Sequence, residues 1–200
     1  MLKKEAASIT GGLSAPSKMP GPAYNLPASQ CITGSKLAQK PGTVCHGCYA
    51  LKGRYRFPMV QKALQRRAAS ILHPQWIEAM VVLIKDHEHF RWHDSGDLQG
   101  PEHLQNIFEV CKRTPGTSHW LPTREAWLFK YMDPDIIPPN LIIRISGMKV
   151  NGPAPSWWPW TSCVVDKDYH TCPASAQGNK CLTCRACWDR NVKNITYPKH

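Results

Sequence analysis

FRWHDSGDLQGPEHLQNIFEVCKRTPGTSHWL, residues 90–121, reads as strand, turn, helix and strand in succession. Phe90, Trp92 and Asp94 alternate at the two-residue period of a strand that runs into a turn at Gly96. Behind Pro101, Leu104, Ile107, Phe108 and Cys111 fall at helical spacing, and His119 to Leu121 begins a second strand. A crossover helix between two strands implies that the strands run parallel.

The same alternation extends outward. Upstream, Met59, Val60, Ala63, Leu64 and Ala68 follow Pro58 at helical spacing, and a second helix starting at Pro74 carries Trp76, Ile77, Met80, Val81 and Ile84 on one face. Downstream come a short helix around Ala126 to Tyr131, the β-branched run Leu141 to Ser146, and a brief strand from Ser162 to Val165. The expected fold is therefore α/β with mostly parallel strands, open or curled into an incomplete (β/α) barrel over residues 31–165. Residues 1–30, rich in Gly and Pro, read as an extended basic arm, and residues 166–200 as a Cys-rich metal-binding segment. Trp157, Trp158 and Trp160 read first as a loop plugging one end of the core, and otherwise as a platform for bases or a cap over a cofactor.

Two hundred residues with 42% apolar and 20% charged side chains can bury one core. No run approaches the roughly 18–20 apolar residues of a membrane span, and no apolar stretch follows Lys3 and Lys4, so neither a membrane nor a secretory signal is expected. An intracellular, reducing location follows as an expectation. The net charge of +11 is uneven: residues 1–70 hold 11 basic and 1 acidic side chains, residues 71–160 hold 8 and 10, and residues 161–200 hold 6 and 3. Basic ends suit a phosphate-bearing partner, a nucleotide or nucleic acid, or serve as a solvated face. Lys52, Arg54 and Arg56 interleave with Tyr55 and Phe57, a pairing of cations and rings that also suits nucleic acid.

Nine cysteines in a reducing compartment point to metal before disulfides. Cys172, Cys181, Cys184 and Cys187 form Cys-x8-Cys-x2-Cys-x2-Cys, a full ligand set for a [4Fe–4S] cluster or for one structural zinc, with Cys163 or His170 as substitute ligands. Cys31, Cys45 and Cys48 supply three thiolates, which leave one iron of a cluster open to a small molecule, whereas His46 as a fourth ligand would indicate zinc. Cys111, beside Phe108 on a helix face, reads as a core thiol.

His93-Asp94-Ser95-Gly96-Asp97 follows a strand, where parallel sheets build their sites. Asp94 and Asp97 are candidate catalytic carboxylates, or caps of the following turn and helix. Arg124, after the next strand, suits a carboxylate or phosphate and otherwise a surface ion pair with Glu125; Arg144 and Ser146 lie near the neighbouring strand end.

The loop ending Cys45-His46-Gly47-Cys48-Tyr49-Ala50 resembles the cluster loop of the radical S-adenosylmethionine superfamily. Ser95-Gly96-Asp97-Leu98-Gln99 resembles that superfamily's Gly-Gly-Glu segment, and Leu141 to Ser146 its fourth strand. Over most of residues 18–190 the chain looks most like a family of little-characterised bacteriophage proteins sharing the Cys-x2-Cys-Tyr-Ala, His-Asp-Ser-Gly-Asp and Cys-rich segments. The resemblance implies a catalytic [4Fe–4S] cluster on Cys31, Cys45 and Cys48, with S-adenosylmethionine held near Ser95, Gly96, Asp97, Arg124 and Ser146. It further implies a 5′-deoxyadenosyl radical, an electron donor, an auxiliary cluster on the four C-terminal cysteines, nucleic acid modification, and residence in the cytoplasm of a phage-infected cell. Two alternatives stand beside it. One is a non-catalytic zinc or iron–sulfur protein binding nucleic acid or a protein partner; the other is a transferase or glycosidase using Asp94 and Asp97.

Overall fold

The computed structural model describes residues 1–166 and 169–199. Six strands form one open, all-parallel sheet in sequential order: β1 (Ala23–Tyr24), β2 (His89–Trp92), β3 (Ser118–Thr123), β4 (Leu141–Val150), β5 (Thr161–Val165) and β6 (Asn194–Pro198). The helices are α1 (Lys3–Thr10), α2 (Ile32–Ala38), α3 (Pro58–Ser70), α4 (Trp76–Ile84) and α5 (Pro101–Arg113). Pro58 and Pro101 open α3 and α5 at their first turns, where a missing N–H costs nothing.

The periodicities resolve into faces. Phe90 and Trp92 of β2, Leu121 of β3 and Ile143 and Ile145 of β4 are buried in one cluster with Trp76, Met80 and Ile84 of α4 and Leu104, Ile107 and Cys111 of α5. Cys111 is a core thiol, as its place on the helix suggests. His89, Arg91, Trp120 and Arg144 take the opposite face. Right-handed crossovers in a sheet of monotonic order all fall on one side, so the helices cannot cover that second face.

The Cys-rich segment covers it. Trp188 donates from Nε1 to the Phe90 carbonyl (3.0 Å), and its ring packs edge-on against His89 and Trp120 at 5.2 and 5.3 Å. Arg144, fully buried, donates to the carbonyls of Ala186 (2.9 Å), Cys187 (3.1 Å), Asp189 (3.0 Å) and Val192 (2.9 Å). One guanidinium thus satisfies the turn that would otherwise bury bare carbonyls.

Several expectations need correction. Residues 1–30 are not an extended arm: they contain α1 and β1. The Thr10 hydroxyl bonds back to the Ala6 carbonyl, and the Tyr24 hydroxyl donates to the Thr10 carbonyl (2.7 Å) while accepting from Trp76 Nε1 (3.2 Å). An eight-residue helix and a two-residue strand fall below what periodicity can resolve. The sheet likewise takes β6 from the Cys-rich segment, so boundaries at residues 31 and 166 cut through one sheet; residues 167, 168 and 200 of that segment lie outside the described residues. The helix expected around Ala126 to Tyr131 is a single 3-10 turn, Ala126–Phe129. Trp158 and Trp160 are core plugs, Trp158 donating to the Ile143 carbonyl (2.8 Å), whereas Trp157 is half exposed.

Two predictions follow from these contacts. Arg144→Ala strands four carbonyls and should cost about 3 kcal/mol or more in chemical denaturation, with proteolytic cleavage appearing in residues 169–193. Arg144→Lys should not restore stability, because one ammonium cannot span the same acceptors. Burial lowers the imidazole pKa of His103 to about 4 and of His119 to about 3, so the fold holds both neutral. Their contribution to stability is complete above the ordinary histidine value of about 6.5 and is lost as pH falls toward those lowered values. The drop in Tm between pH 7.5 and 4 should shrink in His103→Leu, with proton uptake on unfolding reduced by about one.

Candidate functional site

Because all six strands run parallel, their carboxyl ends share one edge, and the loops leaving β1, β2 and β3 meet there. Three carboxylates lace these loops together. Asp94 Oδ1 accepts from Arg91 Nη1 (2.8 Å) and Oδ2 from the Tyr55 hydroxyl (2.8 Å), its N–H donates to Asn25 Oδ1 (2.8 Å), and its carbonyl accepts from the Tyr49 hydroxyl (2.5 Å). Asp97 accepts from the Thr123 hydroxyl (2.6 Å), the Arg124 N–H (2.9 Å) and the Leu98 N–H (2.8 Å). Burial outweighs these bonds and raises its pKa to about 6.

Glu125, fully buried, accepts from the N–H and hydroxyl of Thr33 (2.8 and 2.6 Å) and from Trp127 Nε1 (2.9 Å). It makes no surface ion pair with Arg124; it fixes the first turn of α2, whose N-cap is Cys31. Thr33 had no signal in the sequence; Tyr49 stood out only as part of the Cys45–Ala50 motif and Tyr55 as a ring among cations, whereas the hydroxyls of both bond Asp94. Glu125 had one, the Thr123-Arg124-Glu125 run after a strand, but adjacency to Arg124 suggested the wrong partner.

Cys31, Cys45 and Cys48 gather above these joints. The loop from α2 to Cys48 crosses the sheet edge and is stitched to β4, with Val44 N–H donating to the Met148 carbonyl (3.0 Å) and Val150 N–H to the Gly42 carbonyl (3.0 Å). Gly34 sits between two thiols: a Cβ there would stand 3.6 Å from both Cys31 Sγ and Cys45 Sγ and 2.8 Å from Cys31 Cβ. The bare glycine is what leaves the space between them open. Gly47, in the left-handed region at φ 76°, turns the chain between Cys45 and Cys48. Burial pushes the Cys31 thiol well up, with Asp97, Cys45, Cys48 and Glu125 adding to the rise; burial raises Cys45 too, opposed by Arg124. Arg124 Nε is buried without a hydrogen-bond partner among the described residues.

The other residues of interest divide. Asp97 and Arg124 share the thiols' surroundings. Ser95 donates to the Leu26 carbonyl (3.0 Å), and Gly96, at φ 78°, allows Leu26 an approach that a Cβ would block at 2.6 Å, so this pair welds the β1 and β2 loops. The Ser146 hydroxyl pairs with Ser162 (2.9 Å) farther along the edge. The His93 ring turns into the core beside His103 at 5.3 Å. His46 is exposed, near the Ala38 carbonyl (3.1 Å).

On the covered face, Cys172, Cys181, Cys184 and Cys187 line a cavity of about 160 Å³ together with Trp188 and Ile195. Cys187 Sγ lies 3.3 Å from the Tyr197 hydroxyl, and burial raises its pKa to about 11. Leu182, between Cys181 and Cys184, takes a left-handed φ of 45°, a strained state for a branched side chain. Cys163 does not line the cavity; it faces Asn194. His170 bonds Ser175. Arg91 lies between the two cysteine sets, with Asp94 and Tyr49 on one side and Tyr197 and Cys187 on the other, its guanidinium 4.4 Å over the Trp120 ring.

Among the described residues no group of three or more His, Cys, Asp or Glu side chains has the geometry to hold a metal ion as the chain stands. Each thiol set shares a neighbourhood without the convergence to about 2.3 Å that one zinc demands. Glu125→Ala should free the first turn of α2, cost about 2 kcal/mol, and speed alkylation of Cys31 in chelator-treated protein; peptide mapping of the labelled thiol checks it.

Among the described residues no helix is long and apolar enough to cross a membrane. Neither the curated proteins nor the solved structures offer a match to the chain. A family model described as Gene product 88 matches residues 1–190, a stretch that contains both cysteine sets, the carboxylate joints and strands β1 to β5. The chain belongs to the Gene product 88 family, a phage-type family.

Proposed function

We propose that this chain is an iron–sulfur enzyme of the radical S-adenosylmethionine kind, built on a parallel sheet curled toward part of a barrel. Cys31, Cys45 and Cys48 would hold a [4Fe–4S] cluster, and Cys172, Cys181, Cys184 and Cys187 a second one for electron relay. The observation that carries the reading is the Gly34 cradle: a Cβ there would stand between the Cys31 and Cys45 thiols, with Cys48 in the same neighbourhood, at the carboxyl edge where parallel sheets place their chemistry. Three thiolates leave one iron open, and iron corners held apart in a cube need no convergence on a single ion.

The chemistry such a group supplies when bound is one-electron cleavage of S-adenosylmethionine. What this chain's residues contribute is orientation and exclusion of water. Arg124, whose Nε has no hydrogen-bond partner among the described residues, would hold the cofactor's carboxylate. Asp97, locked by Thr123 and the Arg124 backbone, sets negative charge where an amino group would sit. Ser146 lies inside β4, which runs on to Val150, with its hydroxyl paired to Ser162. Asp94 and Asp97 are both engaged as joints, which leaves a two-carboxylate hydrolase without a free pair.

A second reading keeps both sets structural, as zinc or iron–sulfur sites in a module that binds nucleic acid or protein. It is favoured by the C-terminal set, whose turn is pinned to the sheet by Arg144 as a scaffold element would be.

The test is iron, acid-labile sulfide and zinc per chain after anaerobic purification, followed by S-adenosylmethionine cleavage under reduction. Roughly eight irons with matching sulfide are expected, falling to about four in Cys31→Ser/Cys45→Ser/Cys48→Ser. Arg124→Gln leaves the backbone joint to Asp97 intact and should cut cleavage roughly tenfold. Zinc without sulfide, persisting after anaerobic reconstitution, overturns the enzyme reading in favour of the module.

A further inference from the structure

Residues 6–77 contain nine Lys and Arg and no Asp or Glu. Part of this excess is concentrated at the mouth of the three-thiol site. Directly after Cys48 the chain makes two 3-10 turns, Tyr49–Leu51 and Gly53–Arg56, and then enters α3. The Tyr49 and Tyr55 hydroxyls anchor these turns on Asp94, and Gln61 Nε2 donates to the Tyr55 carbonyl. With the tyrosines anchored, the segment turns its other side chains outward. Lys52, Arg54 and Arg56 are exposed, and among the described residues none of them forms an ion pair. Phe57 is 59% exposed and Met59 84%.

An exposed ring beside three solvated cations offers a ligand both an apolar face and positive charge. A polyanion with flat apolar faces does so: its phosphates meet the cations and a base stacks on the ring. The direction of the patch matters as well. Lys52 Nζ lies 3.4 Å from where a Cβ on Gly47 would stand, so the row of cations ends over the Cys45–Cys48 turn. A duplex buries its bases and a membrane surface is flat. Neither delivers an atom into a cradle beneath the turn, whereas a free strand does.

We infer that residues 52–59 form a seat for single-stranded nucleic acid, with the strand running over Gly47 toward the cradle of Cys31, Cys45 and Cys48. This names the substrate class of the site proposed above and rests on that reading for the chemistry. The seat itself is independent of what the thiols hold.

The experiment is fluorescence anisotropy of labelled 12-nucleotide single strands, DNA and RNA, against the whole 200-residue chain from 50 to 200 mM salt. Lys52→Ala/Arg54→Ala/Arg56→Ala should weaken binding at least tenfold and reduce the log–log salt slope by about 2, the value for three lost phosphate contacts. Phe57→Ala should weaken it roughly tenfold with the slope unchanged. The control Lys85→Ala/Lys193→Ala/Lys199→Ala removes equal charge from exposed positions elsewhere and should bind as the parent does. Equal losses in patch and control variants, no single-strand binding by the parent, or tighter binding to phosphatidylserine vesicles through the same residues would each overturn the seat. Iron loading and cofactor cleavage in a parent that ignores single strands would refute the seat and leave the enzyme reading intact. Strand binding that persists in a zinc-only protein would do the reverse.

Discussion

Monotonic strand order is the constraint from which the rest of this structure follows. When six parallel strands pair in the order of the chain, every right-handed crossover lands on the same face, and the helices can protect only that face. The other must be covered by something that is not a crossover helix. Here the connection between β5 and β6 folds back across the sheet, and Arg144 holds it by filling the carbonyls of a turn that has no helix or strand to satisfy them. The four C-terminal cysteines therefore lie in the cover of the sheet, with Trp188 wedged between His89 and Trp120 beneath them.

The same constraint aligns the carboxyl ends of the strands, and what is built there depends on three acids, Asp97 and Glu125 buried and Asp94 partly so. Asp94, Asp97 and Glu125 each bond to a different loop, and together they fix the positions of Cys31, Tyr49, Tyr55 and Arg124. Burying carboxylates is unfavourable unless they are well bonded, and burial raises the pKa of Asp97 although its three donors pull it down.

Much of this was legible in the sequence where the signal is local. The strand-turn-helix-strand run over residues 90–121, Pro58 and Pro101 at helix starts, and the buried Cys111 all read true, because periodicity and proline geometry act within a few residues. The two cysteine groups were visible as spacing. What escaped was long-range or short. Glu125 bonds Thr33 across 92 positions, and no pattern announces it. The helix Lys3–Thr10 buries only Ala6 and Thr10, packs on α4, and accepts a bond from the Tyr24 hydroxyl 14 positions beyond its end. Arg144, in an apolar β-branched run, looked like a residue of the sheet edge, yet it lies in the sheet interior because its acceptors arrive 42 to 48 residues later.

Strand order also sets an order in time. Each strand of this sheet leaves the ribosome next to the edge on which it will pair, so the sheet can extend at the pace of synthesis without waiting for a distant partner. The first edge is a two-residue strand and the last one ends in Pro198, both poor templates for a neighbouring chain. The cover is the exception to this vectorial growth. Until residues 186–192 emerge, the Arg144 guanidinium has no acceptors there and Trp120 no indole against it, so the nascent sheet shows an open aromatic and cationic face to the cell. The segment that closes that face is the one that carries the four cysteines, so covering the sheet and gathering the thiols are one event.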